Sequence, residues 1–443
     1  AAGDLVEVEE LERADYDPPR HGHAGGHGDD QEVAADGGTT MGAGGPPVVQ
    51  KNPAPSRPFE LLVETISKPQ YWNFDPTVIL FLTFPLFFGF MIGDLGYGIL
   101  YAAVGYVLWS RFDSDAVRAL GGIAMWAGGF TALFGVLYGE IFGLHLVTEY
   151  LWVGALGMEH PPIVKGLAPA ELDYAKAWLF VVMLAGVAHV TIGYVFGFAE
   201  YLQGHGLRDA LMEKASWVLL MLGVWTWILS RSAASMKPEF VYTALNGEPF
   251  PLGFAGFSAE VGLGALVVAA VGLVLMVAAE YLHFGTPGIL IGLLESLNVL
   301  VNILSYARIA AVLLAKAGMA FVVNLLFFGA YTAGEGAETE YHFAIGETIQ
   351  QVEHHAEFSG WLFQGLIHAG EQGGLAVGIV GIVAGLLILV VGHLIVLALG
   401  ITSAGLQAVR LEYVEFFSKF YYEGGAGEAY EPFGSESRFS TGD

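Results

Sequence analysis

Chemistry is first to be expected from Arg308 and Arg410, because each sits in a long apolar stretch. Around Arg308 the run 289–328 is almost wholly apolar, with 19 residues before the arginine and 20 after it. A guanidinium at that depth cannot reach water along its own helix, which is the ordinary explanation for a charge near a span's end. At about 100° per residue, Glu295, Asn298, Asn302, Ser305, Arg308 and Lys316 fall within an arc of roughly 140°. Asn and Ser alone read as interhelix glue. A stripe leading from a carboxylate through amides and a hydroxyl to an arginine reads instead as a hydrated lane. In the last apolar stretch, His393, Ser403, Gln407 and Arg410 share one face of about 100°. Gly392 and Gly400 lie on or near that face, so that another backbone can approach closely. Arg410 is nearer its helix end, where snorkelling competes, but Gln407 one turn before it favours a paired polar role.

An arginine stays charged where a buried lysine neutralises, so it suits a permanent positive barrier against protons and Na⁺. A carboxylate passing at about 4 Å, in an effective dielectric near 20, is attracted by about 4 kcal/mol before desolvation. That equals roughly three pKa units, enough to strip its proton. No carboxylate of this chain is expected at the depth of Arg308, so the counter-charge is expected from another subunit.

Other polar residues in apolar surroundings carry weaker signals. Asp94, between two glycines in FGFMIGDLGYG, reads either as a hairpin cap or as a channel group. Glu140 ends the stretch 117–145, and His189 lies in the middle of 176–202, where packing is the plainer explanation. Lys316, about 12 Å beyond Arg308 along a helix, points the same way and would line an exit.

The elements that must position these residues follow from composition. The 443 residues are 54% hydrophobic and 14% charged, far from an ordinary soluble domain. An all-α polytopic membrane protein is expected. The apolar stretches run 77–109, 117–145, 176–202, 211–231, 253–281, 289–330 and 373–411, each to be compared with the roughly 20 residues of a spanning helix. The first is long enough for a hairpin about Asp94. With the hairpin, Lys68, Arg111, Arg118, Arg208, Lys214 and Lys419 fall on one side; Lys165, Lys176, Arg231 and Lys237 fall on the other. The positive-inside rule then favours eight helices with both ends cytoplasmic, in a multi-pass protein of the cell membrane. The last two helices are long and carry the arginines. The loop 331–358 holds six glutamates and neither Lys nor Arg, as an external loop would.

Residues 1–58 are rich in Gly, Pro and acids and read as a disordered acidic linker, with VEVEELERA at its start as the frayed end of a strand or helix. His21, His23 and His27 in it are a candidate metal tract, but solvated linker is the plainer reading, and no metal or cofactor is expected. Residues 434–443 form a short polar tail after a transmembrane domain of 59–433. The net charge of −26 argues against nucleic acid as a partner and suits a salt-adapted cytoplasm. With no cysteine, disulfides are excluded. No Gly-rich phosphate loop is present, so ATP chemistry is not expected in this chain.

Three stretches go further: FPLFFGFMIGDLGYG, NILSYARIAAVLLA and LQAVRLEYVEFFSKFYYEGG. They resemble, in turn, the first hairpin, the arginine-bearing seventh helix, and the eighth helix and tail of subunit a of rotary V-type ATPases, called subunit I in archaeal A-type ATP synthases. The resemblance covers about 58–433. It implies a stator with two offset half-channels beside a rotating ring of carboxylate-bearing subunits, with peripheral and central stalk subunits and the lipid bilayer as further partners. It places Arg308 as the essential arginine, Arg410 as the second, Gln407 before it and Asn298 upstream, with Glu295 one residue offset from an upstream glutamate. Gly400 stands where eukaryotic relatives carry an acid, so the outer half-channel must draw on other groups. The resemblance implies H⁺, less readily Na⁺, as the ion. The rival reading is a self-contained secondary transporter or channel whose Arg308 binds an anion, which predicts inverted repeats.

Overall fold

The computed structural model describes residues 48–69, 73–165, 172–237, 256–334, 340–355 and 358–421. Contacts divide the chain into Ala1–Ala43 and Gly44–Asp443, and only the second unit is described below. His21, His23, His27, most of the N-terminal linker and the tail 434–443 lie outside the described residues. The linker's last residues, 48–58, are tied down: Gln50 and Asn52 donate to Asp75 at 3.1 and 2.8 Å, and Asn52 also donates to Glu60.

A short helix α1 (Glu60–Ile66) precedes α2 (Thr77–Ile92) and α3 (Leu95–Arg111). Six longer apolar segments follow: α4 (Asp115–Tyr138), α5 (Leu172–Gly204), α6 (Leu207–Ile228), α7 (Ala259–Phe284), α8 (Thr286–Phe328) and α9 (Ala369–Arg410). These six are long and apolar enough to cross a membrane. The pair α2 and α3 is shorter, at 16 and 17 residues, and forms the hairpin about Asp94 that the sequence suggests. The chain reverses at Gly93, whose φ of 44° is left-handed, and Asp94 caps α3 by accepting from Tyr97 N at 3.1 Å. That α2 and α3 are antiparallel follows from their common neighbour α4. Phe81 meets Trp126 and Phe90 meets Phe134, so α2 runs with α4. Gly98 lies against Ala132 and Gly105 against Gly121, so α3 runs against it.

The remaining spans alternate. Trp178 near the start of α5 packs on Phe90, and Phe196 near its end packs on Phe420. Gly223 meets Ala269 across α6 and α7, Gly288 meets Glu280 across α7 and α8, and Gly392 meets Val323 across α8 and α9. Both ends of the described bundle therefore come together: Tyr413 donates to Leu62 O and Tyr421 to Ser67 O. We call this the tail end, and the opposite one, where Gly93 turns, the hairpin end.

Between α8 and α9 the structure adds a small antiparallel sheet in an all-α frame. Strands β1 (Ala330–Ala333), β2 (Glu340–Phe343) and β3 (Phe358–Phe363) pair in the order β2-β1-β3. Tyr331, Ala333, Ala344 and Val352 form its own buried cluster, and Phe343 rests on Phe321 of α8.

Candidate functional site

Two buried polar clusters occupy opposite halves of the bundle. At the hairpin end, the left-handed turn at Gly93 and the loop after α4 bring four ionisable side chains together: Asp94, Glu140, Lys165 and Lys316. All are buried. Asp94 Oδ1 accepts from Tyr97 N and Phe142 N; its Oδ2 accepts from Gly143 N at 2.8 Å and from Lys316 Nζ at 3.0 Å. Glu140 Oε2 accepts from Lys165 at 2.7 Å and lies 3.7 Å from Lys316. Lys165, in the loop, also donates to Gly93 O and lies over the Tyr138 ring. Burial lowers its ammonium to about 8, against the pull of Glu140. Glu140 Oε1 faces His145 Nε2 at 4.0 Å, and the His145 side chain is 63% exposed. Next to Asp94, Tyr97 Oη contacts His393 Nδ1 at 2.6 Å, His393 Nε2 contacts Asn324 at 3.1 Å, and Asn324 donates to Phe142 O.

Toward the tail end, α8 departs from regular α geometry at its arginine. Tyr306, Arg308 and Ile309 donate to carbonyls three residues back rather than four, a 3₁₀ tightening. A similar step at Leu297 and Leu300 sits one polar group earlier. α9 departs in the opposite sense: past Arg410 it widens into a π-helical turn, Leu411–Phe416. This turn folds Glu412 and Glu415 back against α5 and α8, where both are buried. Asn302, in the amide orientation that satisfies both neighbours, donates to Glu415 at 3.2 Å and accepts from Lys419 at 2.8 Å. Among the described residues, Arg410 and Glu415 act electrostatically on Arg308 without forming an ion pair or hydrogen bond to it. Arg308 Nη1 is buried without a hydrogen-bond partner, and Arg410 is exposed.

No protein-family model matches the chain. Its sequence is 52% identical to "A-type ATP synthase subunit I" of Halobacterium salinarum, over 100% of this chain and 59% of that protein. Proteins of the same name from Archaeoglobus fulgidus and Pyrococcus abyssi are 32% and 27% identical over 89% of this chain, covering 54% and 48% of their own lengths. The chain belongs to the A-type ATP synthase subunit I family. It spans between about half and three fifths of the length of these relatives.

Within this subunit I frame, the expected site residues separate by place. Arg308, Arg410, Asn302 and the half-buried Ser305 and Gln407 gather in the tail-end half, where Glu415 joins them. Asp94, Lys316 and His393 gather at the hairpin end. The single polar stripe expected on α8 is broken, because each 3₁₀ step advances about 120° rather than 100°. Lys316, on the regular helix past the second step, lies in an ion-pair network with Asp94 rather than open to an exit, while Asn298 is exposed and Glu295 half-buried near Glu280. Gly392 and Gly400 admit the side chains of Val323 and Tyr101 rather than a backbone. His189 is held between Tyr306 Oη at 2.7 Å and Glu412 at 3.5 Å, stacked on Phe416.

The π turn carries Glu415 back beside α8 at Asn302, and among the described residues no carboxylate makes an ion pair with Arg308. Glu412, Glu415 and Lys165 were not singled out as site residues from the sequence. The available signal was a pair of acids three apart among aromatics, directly after Arg410.

Proposed function

We propose that the chain is the membrane stator of an archaeal A-type ATP synthase, carrying H⁺ between two half-paths that meet a ring carboxylate at Arg308. The observation that carries this reading is the Arg308 guanidinium, with its buried and unpartnered Nη1 beside exposed Arg410. A buried donor without a partner costs about 1–3 kcal/mol, more for a charged group, so it is suited to a ligand supplied from outside. α9 is the fitting surface for a ring: its most apolar window is 11% buried, the lowest of the six long spans.

In this reading the hairpin-end cluster serves the outer half-path, from exposed His145 through Glu140 and Asp94 to His393. Glu295, Asn298, Asn302 and Ser305 serve the inner one, with Gln407 supporting the water path beside Arg410. Glu415 helps to hold Arg308 in place between ring carboxylates. The tail end is cytoplasmic, since Arg57, Lys68, Arg111, Arg118, Arg208, Lys214 and Lys419 lie at that end and only Lys165, Lys176, Arg231 and Lys237 lie toward the other. The peripheral and central stalk subunits and the lipid bilayer are the further partners of this reading.

Because the chain has no cysteine, a cysteine placed at Leu399, on the exposed face of α9, tests the ring contact. In the assembled complex it should cross-link to a cysteine beside the ring carboxylate. Absence of any cross-link from this face, with the complex intact, would remove the reading.

A further inference from the structure

The hairpin-end cluster balances two acids against two ammoniums, all deeply buried: Asp94 is 0% exposed, Glu140 6%, Lys165 4% and Lys316 1%. Both Asp94 oxygens are engaged, one by two backbone N–H groups and the other by Gly143 N and Lys316. Glu140 Oε2 is engaged by Lys165 and faces Lys316. Oε1 of Glu140 is left, turned toward exposed His145. A hard metal cation is held by several oxygens gathered round it. Here the ammonium nitrogens of Lys165 and Lys316 already stand where such a cation would bridge the two carboxylates.

A proton has no such requirement. It binds Glu140 Oε1 once the exposed His145 ring closes the 4.0 Å gap, an O–H bond forming there as an N–H bond of protonated His145 breaks; that O–H bond then breaks as the proton passes inward toward His393. No oxygen shell has to be assembled and no ammonium displaced.

We propose that Lys165 and Lys316 act as a Na⁺ filter at the hairpin end, occupying the cation positions between Asp94 and Glu140 so that this half-path admits H⁺ and excludes Na⁺. This rests on the reading above that ions pass through the cluster. Lys165 is the specificity-determining member, because it belongs to the loop after α4 and reaches the cluster from outside the spans. It is held there by Gly93 O, the Tyr138 ring, and the bond from Trp178 to its own carbonyl.

The test uses the whole complex in proteoliposomes, with ATP synthesis driven by a fixed proton gradient and a fixed diffusion potential. Na⁺ replaces choline at constant ionic strength on the side facing Lys165, and uptake of radioactive Na⁺ is followed during ATP-driven pumping. The wild type should take up no Na⁺ and be insensitive to it. Lys165→Gln should become inhibited by Na⁺, with a half-inhibiting concentration at least ~tenfold below the highest Na⁺ concentration that leaves the wild type unaffected, since one fixed charge near the carboxylates is gone. Lys165→Arg should behave as the wild type. Lys316→Gln, which removes the other ammonium, is the second arm and should also gain Na⁺ inhibition. Coupled Na⁺ uptake by the wild type overturns the filter, as does an unchanged Na⁺ response in an assembled, active Lys165→Gln or Lys316→Gln complex. The outcome is separable from the stator reading, which stands or falls on whether proton transport itself requires Arg308.

Discussion

Arg308 lies midway along an apolar run and Arg410 near the end of one, where a guanidinium has few alternatives to a polar partner. The acids that follow Arg410 are placed by the backbone instead. Glu412 and Glu415 follow Arg410 in LEYVEFF, and a 3.6-residue period places them elsewhere than a π turn does. The two arginines should separate experimentally. Arg308→Gln removes both the barrier and the attraction for an arriving carboxylate, so ATP-driven proton uptake by the reconstituted complex should vanish at normal assembly. Arg308→Lys should be nearly as damaging, since a compact ammonium lacks the planar fork and can neutralise. Arg410 is exposed and, in the proposed reading, supports the water path, so Arg410→Gln should retain measurable uptake. Substantial pumping by Arg308→Gln would reverse these roles. Glu412 is a different case: its carboxyl oxygens are buried without hydrogen bonds, nearest His189 at 3.5 Å. A buried polar group in that position costs free energy, so Glu412→Gln should leave thermal stability unchanged or raise it by about 1 kcal/mol. His189→Leu strands the acid and should lower stability by about 1–3 kcal/mol; the reverse order in a melting assay would refute this account.

The elements were legible where hydrophobic length decided them and obscure where local backbone did. The Gly93–Asp94 hairpin could be weighed in advance because two glycines flank an acid and loop charge took one side. The sheet could not: β1, β2 and β3 are four to six residues each, set in a loop of glutamates and glycines. Their cluster around Tyr331 and Trp361 depends on pairing across the loop. The α8 stripe failed for the same reason, since two 3₁₀ steps rotate everything beyond them. At the hairpin, the closest approach is Gly135 of α4. A Cβ added there would lie 2.0 Å from Leu95 N and 2.3 Å from Asp94 C. Backbone cannot yield as a side-chain tip does. Gly135→Ala should therefore push α4 off the hairpin and cost about 1–3 kcal/mol. It should also loosen Asp94 from Lys316, so proton transport should fall with stability. Gly129→Ala in the same helix meets nothing within 4 Å and should be neutral in both assays. Equal behaviour of the two variants in thermal melts would show that the glycine contact does not hold the hairpin.

At the scale of the molecule, span parity and charge bias make one claim between them, and it can be tested without knowing any mechanism. If α2 and α3 cross as a hairpin beside the six long spans, the chain returns to its starting side, and the hydrogen bond from Tyr421 to Ser67 O brings the two ends of the described bundle together. Parity alone does not say which side. The proposed orientation takes the side from the basic residues, because Lys and Arg are retained on the cytoplasmic face during insertion while acids matter little. Two positions at the tail end, Lys68 and exposed Ser418, and one at the other end, exposed Glu159, are accessible enough for single cysteines. In intact cells a membrane-impermeant maleimide should label Glu159→Cys and leave Lys68→Cys and Ser418→Cys unlabelled until the membrane is opened. Labelling of Lys68→Cys and Ser418→Cys on opposite faces would break the even parity. Labelling of both from outside, with Glu159→Cys protected, would keep the fold and invert it, and would exchange the two half-paths: the Asp94 and Glu140 cluster would then face the cytoplasm, and the Na⁺ response of Lys165→Gln would have to be sought on that side.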